Sequence, residues 1–128
     1  MENQRKTTGQ RGEDEACRYL QSLGHVILER NWRCSHLEID IITLTCGELH
    51  IVEVKTRKAP VEAMPEVNVG RDKKSRLVRA AKAYLNSPEA RRLPGAPEVF
   101  FDVITVVLDG DRADIEYYPQ AFIPLYVQ

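Results

Sequence analysis

Asp40, Glu53 and Lys55 are three charged residues that the sequence places on one predicted β-hairpin. The two halves of this hairpin flank Cys46-Gly47, a residue pair suited to a two-residue turn. With that turn, Asp40 lies directly opposite Glu53. Because side chains alternate along a strand, Lys55 lies on the same face as Glu53. The pattern therefore predicts two carboxylates and an ammonium group within contact distance of one another.

Paired carboxylates have a chemical use, because they supply the hard oxygen ligands that Mg²⁺ prefers. A nearby ammonium group can orient a metal-bound water. The alternative is a solvated sheet face, since opposite charges across two strands are ordinary. Asp40 argues against this alternative, because like charges that face each other destabilise a hairpin unless a cation lies between them. We interpret Asp40 and Glu53 as candidate metal ligands.

The same alternation predicts the neighbours of the acids. Glu38 is expected opposite Lys55, and Ile42 and Ile51 continue the face of the acids toward the turn. The other face is wholly apolar and is predicted to be core; it consists of Ile39, Ile41, Val52 and Val54.

The elements around the hairpin predict a mixed sheet in the order αβββαβ, with a final edge strand. Helical spacing of apolar residues covers 10–23 and 70–86, and β-rich runs cover 25–32, 37–45, 48–55, 99–108 and 113–118. A helical crossover usually joins parallel neighbours, so the strand after the second helix is expected to pair in parallel. The polar stretches 56–69 and 87–97 are predicted to be irregular.

The 128-residue chain has the composition of one globular domain, with 43% hydrophobic and 29% charged residues. We expect a single domain over 1–128. Three cysteines without a Cys-x-x-Cys pair and three scattered histidines argue against structural zinc. No apolar stretch is long enough to cross a membrane, and the polar N-terminus has no signal-peptide core. The sequence predicts a cytoplasmic protein without a membrane partner.

Positive charge is concentrated in the middle of the chain. The formal net charge is −1, yet residues 51–97 carry 11 basic and 5 acidic side chains, whereas 98–128 carry 1 and 6. Local potential rather than net charge attracts a polyanion. Such a run is often only a solvated face, but its proximity to the hairpin favours contact with nucleic-acid phosphates. The candidate binding residues are Arg57, Lys58, Lys73, Lys74 and Arg76.

Two further acids have more than one interpretation. Glu13 lies at the start of the first helix, where acids are favoured by the helix dipole whatever the function. Asp102 lies in an apolar strand, where it is either a functional acid or a buried acid paired with a basic neighbour. We leave Asp102 out of the predicted site.

Six motifs are spread over nearly the whole chain: Gly12-Glu13-x-x-Ala16, Ile27-Leu28-x-Arg30-Asn31-x-Arg33, Glu38-Ile39-Asp40-Ile41-Ile42, Val52-Glu53-Val54-Lys55-Thr56-Arg57, Lys73-x-x-Arg76-Leu77-x-x-Ala80-Ala81-x-x-Tyr84-Leu85 and Phe101-Asp102-Val103. Together they resemble the YraN-like family of small bacterial proteins, which look like archaeal Holliday-junction resolvases of the PD-(D/E)xK nuclease superfamily. One departure is Leu37, where the family usually has glycine.

The resemblance implies an α/β protein of restriction-endonuclease-like architecture, with an αβββαβ core and a mixed sheet flanked by helices. It implies a Mg²⁺-dependent nuclease, with Mn²⁺ as a substitute ion, that hydrolyses DNA; branched DNA is one candidate substrate. Asp40, Glu53 and Lys55 would form the catalytic triad. Glu13 would be an additional catalytic and metal-binding acid, and the carbonyl group of Val54 a further metal ligand.

Two other functions remain compatible with these residues. One is a nucleic-acid-binding module that keeps the fold but does not hydrolyse its ligand. The other is a small scaffold whose carboxylates bind a cation structurally. A homodimer is compatible with each of the three functions. Cleavage that depends on Mg²⁺ separates the nuclease from the binding module, and a steep salt dependence of affinity separates the binding module from the scaffold.

Overall fold

Two helices and five strands make up most of the structure, a computed structural model that describes residues 5–61, 66–93 and 95–124. The elements are α1 (Thr8–Ser22), β1 (Val26–Cys34), β2 (Leu37–Thr45), β3 (Glu48–Lys58), α2 (Arg71–Leu85), a 3-10 turn (Pro88–Arg92), β4 (Glu98–Asp109) and β5 (Arg112–Phe122). Residues 62–65 of the predicted irregular stretch 56–69, and residue 94 of the predicted loop 87–97, lie outside the described ranges. Within those ranges, neither helix is long and apolar enough to cross a membrane.

All five strands form one sheet in the order β1-β2-β3-β4-β5. The first three strands are antiparallel neighbours, β3 and β4 are parallel and are connected through α2, and β5 runs antiparallel to β4 along the edge. The predicted class is confirmed: this is an α/β protein with a mixed sheet and two helices, and its αβββαβ order is consistent with a restriction-endonuclease-like fold. That the whole chain forms a single domain stays a prediction.

The central strands are buried on both faces because each helix covers one face. The cluster under α1 consists of Ala16, Cys17, Leu20, Ile41, Val52, Ile104, Val106 and Leu108. The cluster under α2 includes Ile39, Ile42, Leu49, Ile51, Leu77, Ala80, Ala81, Tyr84, Phe101 and Val103. Both β3 and β4 contribute to both clusters, which explains why their sequences are nearly continuous apolar runs.

Ile39 lies under α2 rather than on the face of Ile41, so the predicted alternation is wrong at this residue. Ile39 pairs with Trp32 of β1, and the Trp32 ring packs edge-on against Tyr84 of α2 with 5.3 Å between ring centroids. The residue before Trp32, Asn31, has a φ of 53°, in the left-handed region that residues other than glycine rarely adopt. The alternation of β2 alone contains no sign of this irregularity in its neighbour.

Most element boundaries lie close to the predicted ones, but β3 and β5 are longer. The strand β3 continues beyond residue 55 because Arg57 and Lys58 pair with Val107 and Leu108 of β4. These hydrogen bonds come from a distant part of the chain, so the local pattern ends the strand too early. The sequence pattern also predicts an irregular loop where the 3-10 turn lies.

At Gly12 the helix α1 approaches β3 closely. A Cβ atom on Gly12 would lie 1.9 Å from Oγ1 of Thr56, so a larger residue requires the helix or the strand to move. The helix begins with a capping box, in which the Thr7 hydroxyl accepts from the Gln10 backbone N–H and the Gln10 side chain accepts from the Thr7 N–H. These contacts fix the position of Glu13, the residue that follows Gly12.

Candidate active site

The β2–β3 hairpin has the predicted register. Ile41 pairs with Val52, and the pairing continues without a shift to the turn. Both turn residues, Cys46 and Gly47, have positive φ angles of 50° and 78°, which suits the right-handed twist of a two-residue hairpin. The ladder of paired residues ends at Ile41 and Val52, so Asp40 and Glu53 are the first residues beyond it.

Asp40 is held by the backbone of the opposite strand. The N–H of Val54 donates to Oδ2 of Asp40 at 2.8 Å, so the carboxylate takes the place of a strand partner for this amide. Burial raises the pKa of Asp40, and the Val54 hydrogen bond opposes that rise. The carboxyl group is therefore both partly desolvated and fixed in position.

Glu53 is the most strongly perturbed acid of the hairpin. Burial and the neighbouring charge of Asp40 raise the pKa of Glu53 to about 7, although Lys73 of α2 acts in the opposite direction. Nζ of Lys73 lies 3.5 Å from Oε2 of Glu53, whose side chain is 14% exposed. The charge of Asp40 therefore disfavours ionisation of Glu53 beside it.

Lys55 contacts backbone carbonyls rather than the acids. Its ammonium group donates to the carbonyl oxygens of Glu66 and Asn68, at 2.6 and 3.0 Å, and so attaches β3 to the segment before α2. The predicted pairing of Glu38 with Lys55 is wrong. Glu38 instead forms an ion pair with Arg33 of β1 at 3.3 Å, because the β2–β3 ladder has already ended.

Glu13 reaches the same region from α1. The Asn31 amide donates to Oε1 of Glu13 at 3.0 Å, and Arg30 lies 3.9 Å from the same oxygen. Burial raises the pKa of Glu13; the Asn31 hydrogen bond opposes the rise, and the charge of Asp40 adds to it. The charge of Asp40 therefore acts on Glu13, and the role of Glu13 in the site stays a prediction.

The carboxylate oxygens of Asp40 and Glu53 are the type of ligand that a magnesium ion prefers. Mg²⁺ is usually bound by one or two protein carboxylates and keeps several waters, so Asp40 and Glu53 are sufficient protein ligands. Across residues 5–61, 66–93 and 95–124, no three His, Cys, Asp or Glu side chains are arranged as a ready-made metal cluster. Glu13 therefore belongs to the surroundings of the pair rather than to one tight group of three ligands.

The predicted nucleic-acid-binding residues of α2 have different environments. Lys73 contacts Glu53, while Lys74 lies over the Phe122 ring with 5.5 Å from Nζ to the ring centroid. Arg76 is exposed on the same helix. The positive charge of α2 thus extends from the hairpin acids to the solvent.

The other two predicted binding residues lie at the end of β3. Arg57 donates to its neighbouring Thr56 carbonyl at 2.9 Å. Lys58 lines a shallow cleft of about 310 Å³ beside the start of α1, whose lining is otherwise Arg5, Lys6, Thr8 and Arg11. Among the described residues, the lining contains four cationic side chains and no acidic one. Three of the cations come from residues 5–11, and Lys58 joins them from the end of β3, which no local sequence pattern indicates.

A family model described as uncharacterised protein family UPF0102 matches residues 12–106 of this chain. The chain belongs to that family. The predicted resemblance is confirmed, because UPF0102 is the YraN family. The match contains Glu13, both hairpin acids and all of α2.

Relatives in this family cover most of the chain. A UPF0102 protein of Bacteroides thetaiotaomicron is 41% identical over 116 residues, which are 91% of this chain and 92% of the relative. A UPF0102 protein of Nitratidesulfovibrio vulgaris is 40% identical over 122 residues, 95% of this chain and 88% of the relative. A third, from Pseudarthrobacter chlorophenolicus, is 46% identical over 107 residues, 84% and 78% of the two chains. These names state membership of UPF0102 and assign no activity.

Asp102 belongs to a buried polar cluster around His50, the partner that sequence reasoning missed. Asp102, which is 2% exposed, accepts hydrogen bonds from the Tyr117 hydroxyl and the Gln120 N–H, and its other contact is His50 Nδ1 at 2.5 Å. His50 is therefore the basic neighbour of Asp102. The only sequence signal is the presence of both polar residues in apolar strands, and their contact depends on the β3–β4 register.

The pKa values of the two histidines of this cluster are shifted in opposite directions. Burial acts to lower the pKa of His50, but its hydrogen bonds to Asp102 and Glu48 outweigh burial and raise it. Burial and the nearby His50 lower the pKa of His25, whose Nδ1 lies 2.7 Å from the Thr43 hydroxyl. Among the described residues, no hydrogen bond joins His25, His50 or Asp102 to the hairpin acids. The cluster is thus a structural network separate from the hairpin acids.

Proposed function

We propose that this protein is a metal-dependent nuclease that hydrolyses DNA phosphodiester bonds at Asp40 and Glu53. One observation carries the proposal: two partly buried carboxyl groups lie together where a hairpin ladder ends, and burial together with the charge of Asp40 raises the pKa of Glu53 in spite of the opposing charge of Lys73. Structural acids normally have their charge compensated inside the fold. A pair without full compensation is suited to an added divalent cation.

Each neighbouring group has a definite task in this proposal. The Val54 N–H orients Asp40, and the carbonyl of Val54 is available on the adjacent backbone as a third oxygen ligand. Glu13 adds negative charge beside Asp40 and is itself oriented by Asn31. Mg²⁺, when bound, supplies Lewis-acid activation of water and neutralises charge on the phosphate. Lys55 orients the attacking water and stabilises the added negative charge after leaving its carbonyl partners.

The basic side chains explain how a protein of net charge −1 would bind DNA. Cations of α2, including Lys74 and Arg76, lie on one side of the acids, and the cleft containing Lys58 lies at the end of β3. Contacts of this kind are made with phosphates and carry no base specificity. The proposal therefore assigns a DNA substrate that is recognised by its backbone and its shape.

The second candidate is a DNA-binding module of the same fold that lacks hydrolysis. The position of Lys55 favours it, because this ammonium group is bound to the carbonyls of Glu66 and Asn68 and not directed at the acids. A nuclease requires that the lysine move, whereas a binding module does not.

A cleavage assay with labelled linear, single-stranded, flap and four-way DNA, in Mg²⁺ or Mn²⁺, tests the proposal. We expect cleavage by the wild type and its loss in Asp40→Asn, since one ligand charge is removed from a nearly isosteric side chain. Lys55→Met should also abolish cleavage but retain the rise in melting temperature that metal causes, because lysine is not a ligand. Asp114→Asn, on exposed β5, is the matched control and should cut normally.

Two results would contradict the nuclease proposal. Binding of DNA without any metal-dependent product would replace it with the binding module. A melting temperature that is indifferent to millimolar Mg²⁺ and Mn²⁺, together with equal cleavage by the wild type and Asp40→Asn, would show that the hairpin acids are not a catalytic metal site.

A further inference from the structure

The ammonium group that contacts the hairpin acids belongs to Lys73 of α2, not to Lys55 of β3. Nζ of Lys73 is 3.5 Å from Oε2 of Glu53, and the Lys73 side chain is 42% exposed. The ammonium group of Lys55 is instead held by the carbonyls of Glu66 and Asn68. The ion pair therefore places one positive charge of α2 on the carboxylate where a metal ion would bind.

A lysine and a divalent cation compete for such a carboxylate. When a cation of charge +2 binds to Glu53, its positive charge repels the ammonium group at close range. The exposed part of the Lys73 side chain is free to turn toward solvent, and its neighbours on the same helix, Lys74 and Arg76, already present positive charge there. A released Lys73 would join this basic surface.

We propose that Lys73 is an exchangeable counter-ion: it neutralises Glu53 in the metal-free protein, and metal binding transfers its charge to a phosphate of the bound DNA. This inference rests on the proposed function, since it requires both a metal and a DNA ligand. Its consequence is that the two ligands strengthen each other's binding. The coupling is reciprocal, because metal and DNA change each other's affinity by the same factor.

Lys73 thus acts as a counter-ion to each partner in turn, and its effects can be measured without catalysis. In Lys73→Met, metal no longer displaces a counter-ion, so the metal affinity of the protein alone should rise about fivefold, at the low end of usual coupling because the pair is partly exposed. The tightening of DNA binding by metal should shrink by the same factor. Lys74→Met is the matched control, because it removes an adjacent charge of α2 that contacts Phe122 rather than Glu53.

Metal affinity is best measured by calorimetric titration of each protein with Mn²⁺ at about pH 8.5, where protons compete little for the carboxylates. DNA affinity is measured by fluorescence anisotropy with and without Ca²⁺, which is used to limit cleavage of the DNA. The expected result is tighter Mn²⁺ binding and a smaller Ca²⁺ effect in Lys73→Met alone. Lys74→Met should weaken DNA binding equally in both conditions and leave the Mn²⁺ affinity unchanged.

The outcomes separate this inference from the proposed function. If the wild type binds Mn²⁺ and DNA, but Lys73→Met has the wild-type Mn²⁺ affinity and the full Ca²⁺ effect, the counter-ion exchange is refuted and the nuclease proposal stands. If the wild type binds no Mn²⁺, the counter-ion exchange and the nuclease proposal are both refuted. Melting curves of both variants verify that each is folded.

Discussion

Burial, charge repulsion and an ion pair all act on Glu53, and its protonation affects the stability of the fold. Its pKa is raised from 4.5 to about 7 in the metal-free protein. A carboxyl group that holds its proton more tightly when folded stabilises the folded state at low pH, and this contribution is lost as the pH rises to its folded pKa. The expected window therefore runs from pH 4.5 to 7.

Denaturant unfolding in the presence of EDTA should show this effect. The free energy of unfolding of the wild type should fall between pH 4.5 and 7. Each unit by which folding raises the pKa of Glu53 contributes about 1.4 kcal/mol to this fall. Glu53→Gln cannot ionise and should show a shallower fall. His50 also has a raised pKa and is present in both proteins, so its contribution cancels in the comparison. If the free energy of unfolding falls equally with pH in the two proteins, the pKa of Glu53 is not raised.

The sequence predicts the register of the hairpin that carries the two acids, because strand alternation and a two-residue turn act over short distances. It does not identify the partners of the lysines. Lys55 bonds to a loop that follows the hairpin, and Lys73 comes from a helix that packs across it. Both are long side chains whose contacts depend on tertiary packing. The same holds for His50, whose partner Asp102 is supplied by a parallel strand fifty-two positions away.

Among the elements, the hairpin and α1 position the site in different ways. The hairpin is local, so its register follows from the residues within it, although the face of Ile39 does not follow from its alternation. The approach of α1 to β3 depends on a glycine that the motif Gly12-Glu13 contains, but the sequence alone does not reveal that Thr56 lies opposite.

The two glycines of α1 provide a matched test of this approach. Gly12→Ala should destabilise the protein by about 1–3 kcal/mol, because the new methyl group overlaps Thr56 and displaces the helix that carries Glu13. Gly9→Ala meets no atom closer than 4.0 Å and should stabilise the helix by up to about 1 kcal/mol. Chemical denaturation measures both. Equal changes of the same sign would mean that the contact with Thr56 does not restrict α1.

At the scale of the whole molecule, the net charge conceals an uneven distribution. The chain is slightly acidic overall, while basic side chains gather on α2 and in the cleft lined by Lys58 and Arg11. The sequence predicts the excess in residues 51–97. It does not predict that Arg5 and Arg11 join Lys58 from the other end of the chain, because folding brings them together.

The salt dependence of DNA affinity tests whether local basic side chains, rather than the net charge of the protein, determine DNA binding. In the double variant Lys74→Ser with Arg76→Ser, DNA affinity should fall for all sequences alike, and the slope of log affinity against log salt should decrease by about 0.9 for each phosphate that the variant no longer binds. Arg112→Ser is the control, because this exposed arginine of β5 pairs with Asp114. If only the control changes the slope, the DNA-binding surface lies on β5 instead.

The hydrogen bond from the Val54 amide to Asp40 also makes the site visible to NMR spectroscopy. An amide proton bound to a carboxylate resonates at a frequency that depends on the charge of that carboxylate, and its exchange with solvent slows while the bond persists. Since Val54 lies between Glu53 and Lys55, this one resonance responds to ligands at the acids and to movement of the lysine. The backbone of β3 therefore contains its own reporter of what occupies the site, readable without a substrate or a product.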